Sequence, residues 1–177
     1  MDAKELVLEQ ILILRCQTSD PGALSELIRR YEKPLRYFIS RLLSEPASAD
    51  DIFQDTWLAV LRRLSTLRKP EAFAAWLYRI ARNKVYRQLR RKKKLIEIDE
   101  SLGVPEGADE PTFSAADAAD IHKSLSALKP QHKEVLMLRF LEQMSYQQLA
   151  QVLGCNVGTV RSRLHYAKTA LKHELEK

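Results

Sequence analysis

Ser145 to Lys168 reads SYQQLAQVLGCNVGTVRSRLHYAK, and its reading decides the fold. Ser145 followed three residues later by Gln148 has capping-box spacing, which opens a helix. Ala150 falls where a helix-turn-helix needs a small inward residue, and Gly154 where its chain must turn. Asn156 can cap the next helix, because its side-chain oxygen can accept from a first-turn N–H. In that helix Val157, Val160, Leu164, Ala167 and Leu171 make one apolar stripe that should pack on preceding helices. Opposite lie Gly158, Ser162, His165 and Thr169, flanked by Thr159, Arg161 and Tyr166. Small side chains at the start let a helix approach a major groove closely. Arg can donate two hydrogen bonds to guanine, and Ser or Thr can contact phosphate or base. The plainer alternative is a solvated amphipathic helix, the commoner fate of such a pattern. The capped helix and turn in front of it favour DNA.

Outward from this stretch, the apolar spacing predicts helices over residues 2–16, 22–42, 48–64, 71–93, 119–128, 131–141, 145–153 and 157–175. Pro21-Gly22 breaks the first pattern, and Glu45-Pro46 and Lys69-Pro70 mark turns. No sustained strand alternation is present, although LIEI at 95–98 has the composition to pair briefly. Residues 95–118 combine Gly, Pro and acids without a helical period and read as a flexible acidic linker. The expected fold is all-α: two small helical domains, 1–94 and 119–177, joined by that linker.

Charge follows the same division. Residues 61–94 hold thirteen Lys/Arg against the single acid Glu71, and residues 95–121 hold eight acids and no base. In the basic block, Phe73, Leu77 and Ile80, with Trp76 beside them, are the expected buried side. Arg79, Arg82, Asn83, Tyr86 and Arg90 fall within roughly 100° on the other side. Guanidinium groups hold phosphates, Tyr86 can stack on an unpaired base, and Asn83 can read a base edge. A solvated basic helix is the alternative, but such self-repulsion is unfavourable without a polyanion nearby.

The preceding helix, SADDIFQDTWLAVLRRL, differs. Ile52, Trp57 and Val60 are expected inward, and Asp51, Gln54, Asp55 and Leu58 outward. Asp51 and Asp55 are i, i+4 neighbours without the further ligands a metal would need. Asp50 and Asp51 also favour the helix dipole. Exposed acids beside an exposed apolar residue suit a protein-binding face.

Several classes are disfavoured. Cys16 and Cys155 lie far apart, without CxxC or a His pair, and read as ordinary reduced thiols. No nucleophile–base pair, phosphate loop or metal cluster stands out, so neither an enzyme nor a cofactor or metal site is expected. There is no long apolar run and no basic-then-apolar leader, so a cytoplasmic protein without membrane insertion is expected.

Three segments, ADDIFQDTWLAVLRRL, FAAWLYRIARNKVYRQLRR and LSALKPQHKEVLMLRFLEQMSYQQLAQVLGCNVGTVRSRLHYAKTALKHEL, together resemble a bacterial RNA polymerase sigma factor. The likeness is to the sigma-70 family and its small extracytoplasmic-function (ECF) group, and it covers most of 22–175. It implies a region 2-like helical bundle for the first domain and a region 4-like helix-turn-helix for the second. It implies a protein that binds core RNA polymerase, directs it to specific promoters and helps melt the minus-ten element. Asp51, Gln54, Asp55 and Leu58 would dock on the beta-prime clamp, with the beta subunit also contacted. Arg79, Arg82, Asn83, Tyr86, Arg87 and Arg90 would open and read the minus-ten element, with residues 65–70 capturing a flipped base. Arg161, Ser162, His165 and Tyr166, with Thr159, Arg163 and Lys168 beside them, would face the minus-thirty-five element. The acidic linker would thread through polymerase channels meant for nucleic acid. An anti-sigma partner is also implied. Arg87 stands where the family often has Asp, Tyr166 where a basic residue is common, and Asn156 for a frequent Pro. These departures bear on which promoter is read.

Two other classes remain. A stand-alone helix-turn-helix regulator is disfavoured by the separate basic block and the lack of a dimer seam. A nuclease would need a carboxylate cluster inside that block, where Glu71 is the only acid.

Overall fold

The computed structural model describes residues 3–43, 47–96 and 124–176. The chain divides into two compact units, Met1–Arg90 and Arg91–Lys177. All regular structure among the described residues is helical. No described helix is long and apolar enough to cross a membrane.

The first unit holds α1 (Ala3–Gln17), α2 (Pro21–Leu42), α3 (Ala47–Arg63) and most of α4 (Phe73–Ile96). Its core is built from Ile13, Leu27, Leu35, Phe38, Ile39, Val60, Phe73, Leu77 and Tyr78. Edge-on ring pairs tie α2 to α4: Phe38 with Tyr78 at 5.1 Å and Tyr31 with Phe73 at 5.5 Å. Such pairs add to what their area burial supplies. On α1 the Glu9 carboxylate is buried, yet it accepts from the Tyr31 hydroxyl at 2.7 Å and pairs with Arg30 Nε at 3.1 Å. A buried charge is tolerated when it is paired and hydrogen-bonded in this way.

Pro21 does not sit in the break between α1 and α2; it is the first residue of α2. Its missing N–H would have had no helical partner at that position. The chain turns two residues earlier, through Ser19 at φ 65°. Asp20 caps α2 by accepting from the Gly22 and Ala23 amides at 2.9 and 3.1 Å. The Arg15 guanidinium hydrogen-bonds Asp20 at 2.7 Å and holds its carboxyl below the usual carboxylate range.

The buried line of α4 also differs from expectation. Phe73 and Leu77 are fully buried, but the line continues through Ala81 and Val85, with Ala75 and Tyr78 alongside. Ile80 and Trp76, expected with the core, are only half-buried. Steps of four residues drift slowly around a helix, so Phe73, Leu77, Ala81 and Val85 share one face while Ile80 and Trp76 fall to its edge. The helix runs through Ile96, so Leu95 and Ile96 belong to α4 and not to a linker or a short strand. The Arg and Lys residues before them are good helix formers and carry the helix on. Residues 97–118 of the expected linker, and 119–123 of the expected next helix, lie outside the described residues.

In the second unit, residues 124–127 are helical. There follow α5 (Pro130–Leu136), a π-helical turn (Met137–Leu141), α6 (Tyr146–Leu153) and α7 (Val157–Leu175). Where a single helix over 131–141 is expected, the α-helix thus ends at Leu136. The π turn widens the helix locally and re-aims side chains. Met137 and Leu138 are buried, while Phe140 and Leu141 stand half out. Arg139 then donates to the Met144 carbonyl at 2.8 Å and closes the turn into α6. The core here is Val135, Leu138, Leu149, Val152, Val160, Leu164 and Ala167.

The capping and turn signals around the helix-turn-helix hold, while Ala150, expected inward, is only half-buried. Ser145 Oγ accepts from the Gln148 amide at 3.2 Å, and Gln148 Oε1 accepts from the Ser145 amide at 2.9 Å. Gly154 ends α6 at φ 66°, ψ 38°, a left-handed conformation that glycine adopts without penalty. Asn156 Oδ1 accepts from the Thr159 amide at 2.7 Å and starts α7.

Candidate nucleic-acid interface

α3 sorts its residues as their spacing predicts. Ile52, Trp57 and Val60 are buried, joined by Phe53 and Thr56, whereas Asp51, Gln54 and Asp55 are exposed. Leu58 is 49% exposed, and Leu61, one turn on, is 47% exposed. An apolar pair flanked by outward carboxylates therefore faces solvent. Asp50 has a different job. It pairs with Arg36 of α2, whose guanidinium also lies 4.2 Å above the Phe53 ring. That contact ties the start of α3 to the bundle.

α4 presents the basic face. Arg79, Asn83, Arg87 and Arg90 are exposed, and Arg82 and Tyr86 are half-buried. The Arg82 guanidinium stacks on the Tyr86 ring with its carbon 4.6 Å from the centroid. This cation–π contact orders an arginine and an aromatic together at the surface. Lys84, on the flank, reaches Asp55 of α3, Nζ to Oδ2 at 3.4 Å. The carboxylate-bearing face and the basic face therefore adjoin along α3 and α4.

The connection between α3 and α4 is a pinned loop. It comprises two short 3₁₀ turns, Leu64–Thr66 and Pro70–Ala72. Leu64 and Phe73 anchor its ends in the core, while Ser65, Thr66, Arg68 and Lys69 are exposed. Gln17, the last residue of α1, donates through Nε2 to the Leu64 carbonyl at 2.9 Å and to the Leu67 carbonyl at 2.7 Å.

On α7, Val160, Leu164, Ala167 and Leu171 are buried as the stripe predicts, and Val157 is half-buried at the end of the stripe. Arg161, Ser162 and Tyr166 are exposed, and Thr159, Arg163, His165 and Lys168 are half-buried. His165 and Tyr166 touch edge to face at 5.6 Å. Ser162 donates to the Thr159 carbonyl at 3.0 Å, and Thr159 donates through Oγ1 to Asn156 Oδ1 at 3.0 Å. Both hydroxyls thus have their protons engaged and offer lone pairs outward. Lys168 sits 5.9 Å over the Phe140 ring, toward the core side of the helix. Arg163 projects from the other flank, since five residues separate the two by roughly 140°. Those two do not share the face of Ser162. Gly158 has a local reason as well: a Cβ there would meet Asn156 Oδ1 at 3.2 Å and crowd the cap.

Gln17, Lys84, Leu61 and Arg36 were not legible as parts of these surfaces. Gln17 acts across 47 and 50 residues of sequence, a separation for which the chain carries no local signal. Leu61 stands one turn after Leu58 on an amphipathic helix and is the one that spacing could have found. Cys16 and Cys155 are half-buried and free. Burial pushes the Cys16 thiol up, away from the reactive thiolate.

The family model for sigma-70 region 2 matches residues 27–95, and that for sigma-70 region 4 matches residues 118–171. The RNA polymerase sigma-H factor of Pseudomonas aeruginosa is 29% identical over 95% of this chain and 94% of that protein. The ECF RNA polymerase sigma-E factor of Escherichia coli K12 is 28% identical over 97% of this chain and 96% of that one. Among solved structures, the sigma factor RpoE in complex with the anti-sigma factor NepR from Bartonella quintana superimposes with a TM-score of 0.69 at 26% identity. That match covers 86% of this chain and 96% of the other.

Proposed function

Since the chain belongs to the sigma-70 family, in its extracytoplasmic-function group, we propose an assignment of its surfaces to the partners of an alternative sigma factor. Such a factor binds core RNA polymerase, directs it to specific promoters and initiates transcription. The exposed face of α3, Asp51, Gln54, Asp55 and Leu58, docks on the polymerase beta-prime clamp. The α4 face, Arg79, Arg82, Asn83, Tyr86, Arg87 and Arg90, takes the minus-ten element, and the exposed tip of residues 65–70 captures a flipped base. On α7, Arg161, Ser162, His165 and Tyr166 face the minus-thirty-five element. Thr159, Arg163 and Lys168 bear on it from the flanks, where cations suit phosphates better than base edges. The domains are assigned as 1–94 and 119–177, with 95–118 between them. The protein works as a binding subunit and not as an enzyme, in the cytoplasm where polymerase is.

The observation that carries this reading is the division of α4. One side is buried through Phe73, Leu77, Ala81 and Val85. The other sets arginines around a stacked tyrosine and an exposed asparagine. Phosphate, base face and base edge each find a matching group there. The structural relative is held by an anti-sigma factor, and an anti-sigma protein is proposed as a partner of this chain too.

The test is reconstitution with core polymerase and promoter DNA. Transcripts starting at defined positions, dependent on this chain, support the reading. Tight duplex binding with no association to core polymerase would mark a stand-alone helix-turn-helix regulator instead.

A further inference from the structure

We propose that Gln17 is a positioning residue for the base-capturing loop, so that a side chain on α1 sets how well the minus-ten base is held. The inference rests on the assignment of residues 65–70 to that capture. The geometry suits a primary amide. Gln17 Nε2 carries two hydrogens, and each has its own acceptor, Leu64 O at 2.9 Å and Leu67 O at 2.7 Å. These carbonyls bracket Ser65 and Thr66. Leu64 O also accepts from the Leu67 amide at 3.1 Å, which closes the turn on itself. Gln17 then fastens the closed turn to α1.

Other holds on the loop are local. Thr66 Oγ1 donates to Arg63 O at 2.7 Å, and the Ala72 amide donates to Lys69 O at 2.9 Å. They shape the chain but do not place it. Placement falls to the buried ends Leu64 and Phe73, to the packing of α1 against both short turns and to the Gln17 amide. Between those points Ser65, Thr66, Arg68 and Lys69 are exposed. A loop that must present groups to an unstacked base gains affinity when its backbone is ordered beforehand, because ordering on binding is costly. α1 is a firm anchor, held to α2 through the buried Glu9, which accepts from the Tyr31 hydroxyl and pairs with Arg30. Glu at position 17 would turn a carboxylate on two carbonyl oxygens, and Met would leave both without this donor.

The experiment uses the full chain, wild type and Gln17→Met and Gln17→Glu, assembled with core polymerase. Binding is measured to a single-stranded oligonucleotide carrying the minus-ten element, to versions with each base substituted at the flipped position, and to one with an abasic site there. Ordering the loosened loop on binding predicts a weaker hold on the intact oligonucleotide, by up to roughly tenfold, with reduced discrimination at the flipped position. On the abasic oligonucleotide, wild type and Gln17→Met bind alike. Affinity for core polymerase and for minus-thirty-five duplex is unchanged. A difference that persists on the abasic oligonucleotide, or unchanged base discrimination alongside a lowered melting temperature, makes Gln17 merely structural and overturns the proposal. Gln17→Asn, one methylene too short to span both carbonyls, is the second variant should the others fail to fold, and the same outcomes apply. Wild-type holoenzyme without base discrimination on this oligonucleotide would instead sink the assignment of the loop.

Discussion

Lys84 Nζ lies 3.4 Å from Asp55 Oδ2, joining the basic face of α4 to the acidic, leucine-bearing face of α3. The pair is lopsided: the Asp55 side chain is 61% exposed and that of Lys84 18% exposed. The carboxylate therefore remains available to a large partner, while the ammonium lies along the protein surface. An exposed pair of this kind contributes about 0–1 kcal/mol to stability.

Asp55→Asn accordingly separates docking from folding. Affinity for core polymerase should fall several-fold in a competition assay, while the melting temperature moves little. Lys84→Met should leave core affinity near wild type. Asp55→Arg should weaken docking further but also places a cation beside Lys84, so the neutral substitution is the cleaner measurement. Unchanged core affinity in both Asp55 variants would remove this face from the polymerase interface.

Tyr31→Phe deletes a hydroxyl whose acceptor, Glu9, is buried. Arg30 remains as one partner, so the loss is that of a single charged hydrogen bond. The variant should be destabilised by about 1–3 kcal/mol in urea unfolding, with duplex binding by the second unit unaffected.

Gly154→Ala tests the turn into α7. Nothing lies within 4 Å of the added Cβ, so any cost comes from φ 66° and not from a clash. A left-handed alanine costs about 1–2 kcal/mol, and Gly154→Asn should cost less. Equal stability of Ala and Gly at this position would contradict the conformation.

Tyr86→Ala should weaken binding to single-stranded minus-ten DNA by about 1–3 kcal/mol, the worth of one stacked base. Tyr86→Phe keeps the ring and should retain most of it. Arg161→Ala should cost about 1–3 kcal/mol of minus-thirty-five discrimination for a base contact. A loss uniform across sequences would reassign Arg161 to phosphate.

His132 gives a pH dependence. Burial and nearby Lys129 lower its folded pKa from the ordinary 6.5. The unfolded chain therefore binds a proton more readily, and stability falls as pH drops below about 6.5, until the folded form also protonates. Above that range the effect vanishes. His132→Gln should flatten the melting-temperature profile between neutral and mildly acidic pH, and an unaltered slope would place the dependence elsewhere.

Much of this protein is decided along the chain itself. The capping box at Ser145, the left-handed turn at Gly154, the Asn156 cap and the valine–leucine stripe of α7 are interactions between residues a few positions apart. Local spacing specifies them. The same holds for the exposed Asp51, Gln54, Asp55 and Leu58, because a single amphipathic helix sorts its own faces. Tertiary structure decided what depends on neighbours distant in sequence. Trp76 and Ile80 are apolar enough for the core, yet Tyr78, Ala81 and Val85 occupy it, because Phe38 meets the Tyr78 ring and small side chains fit the close side of α4. Arg163 and Lys168 are basic like Arg161, but packing leaves them half-buried where Arg161 is exposed. Gln17 reads as an unremarked polar residue at a helix end. It becomes the tether of the loop only once folding brings Leu64 and Leu67 within reach of its two amide hydrogens.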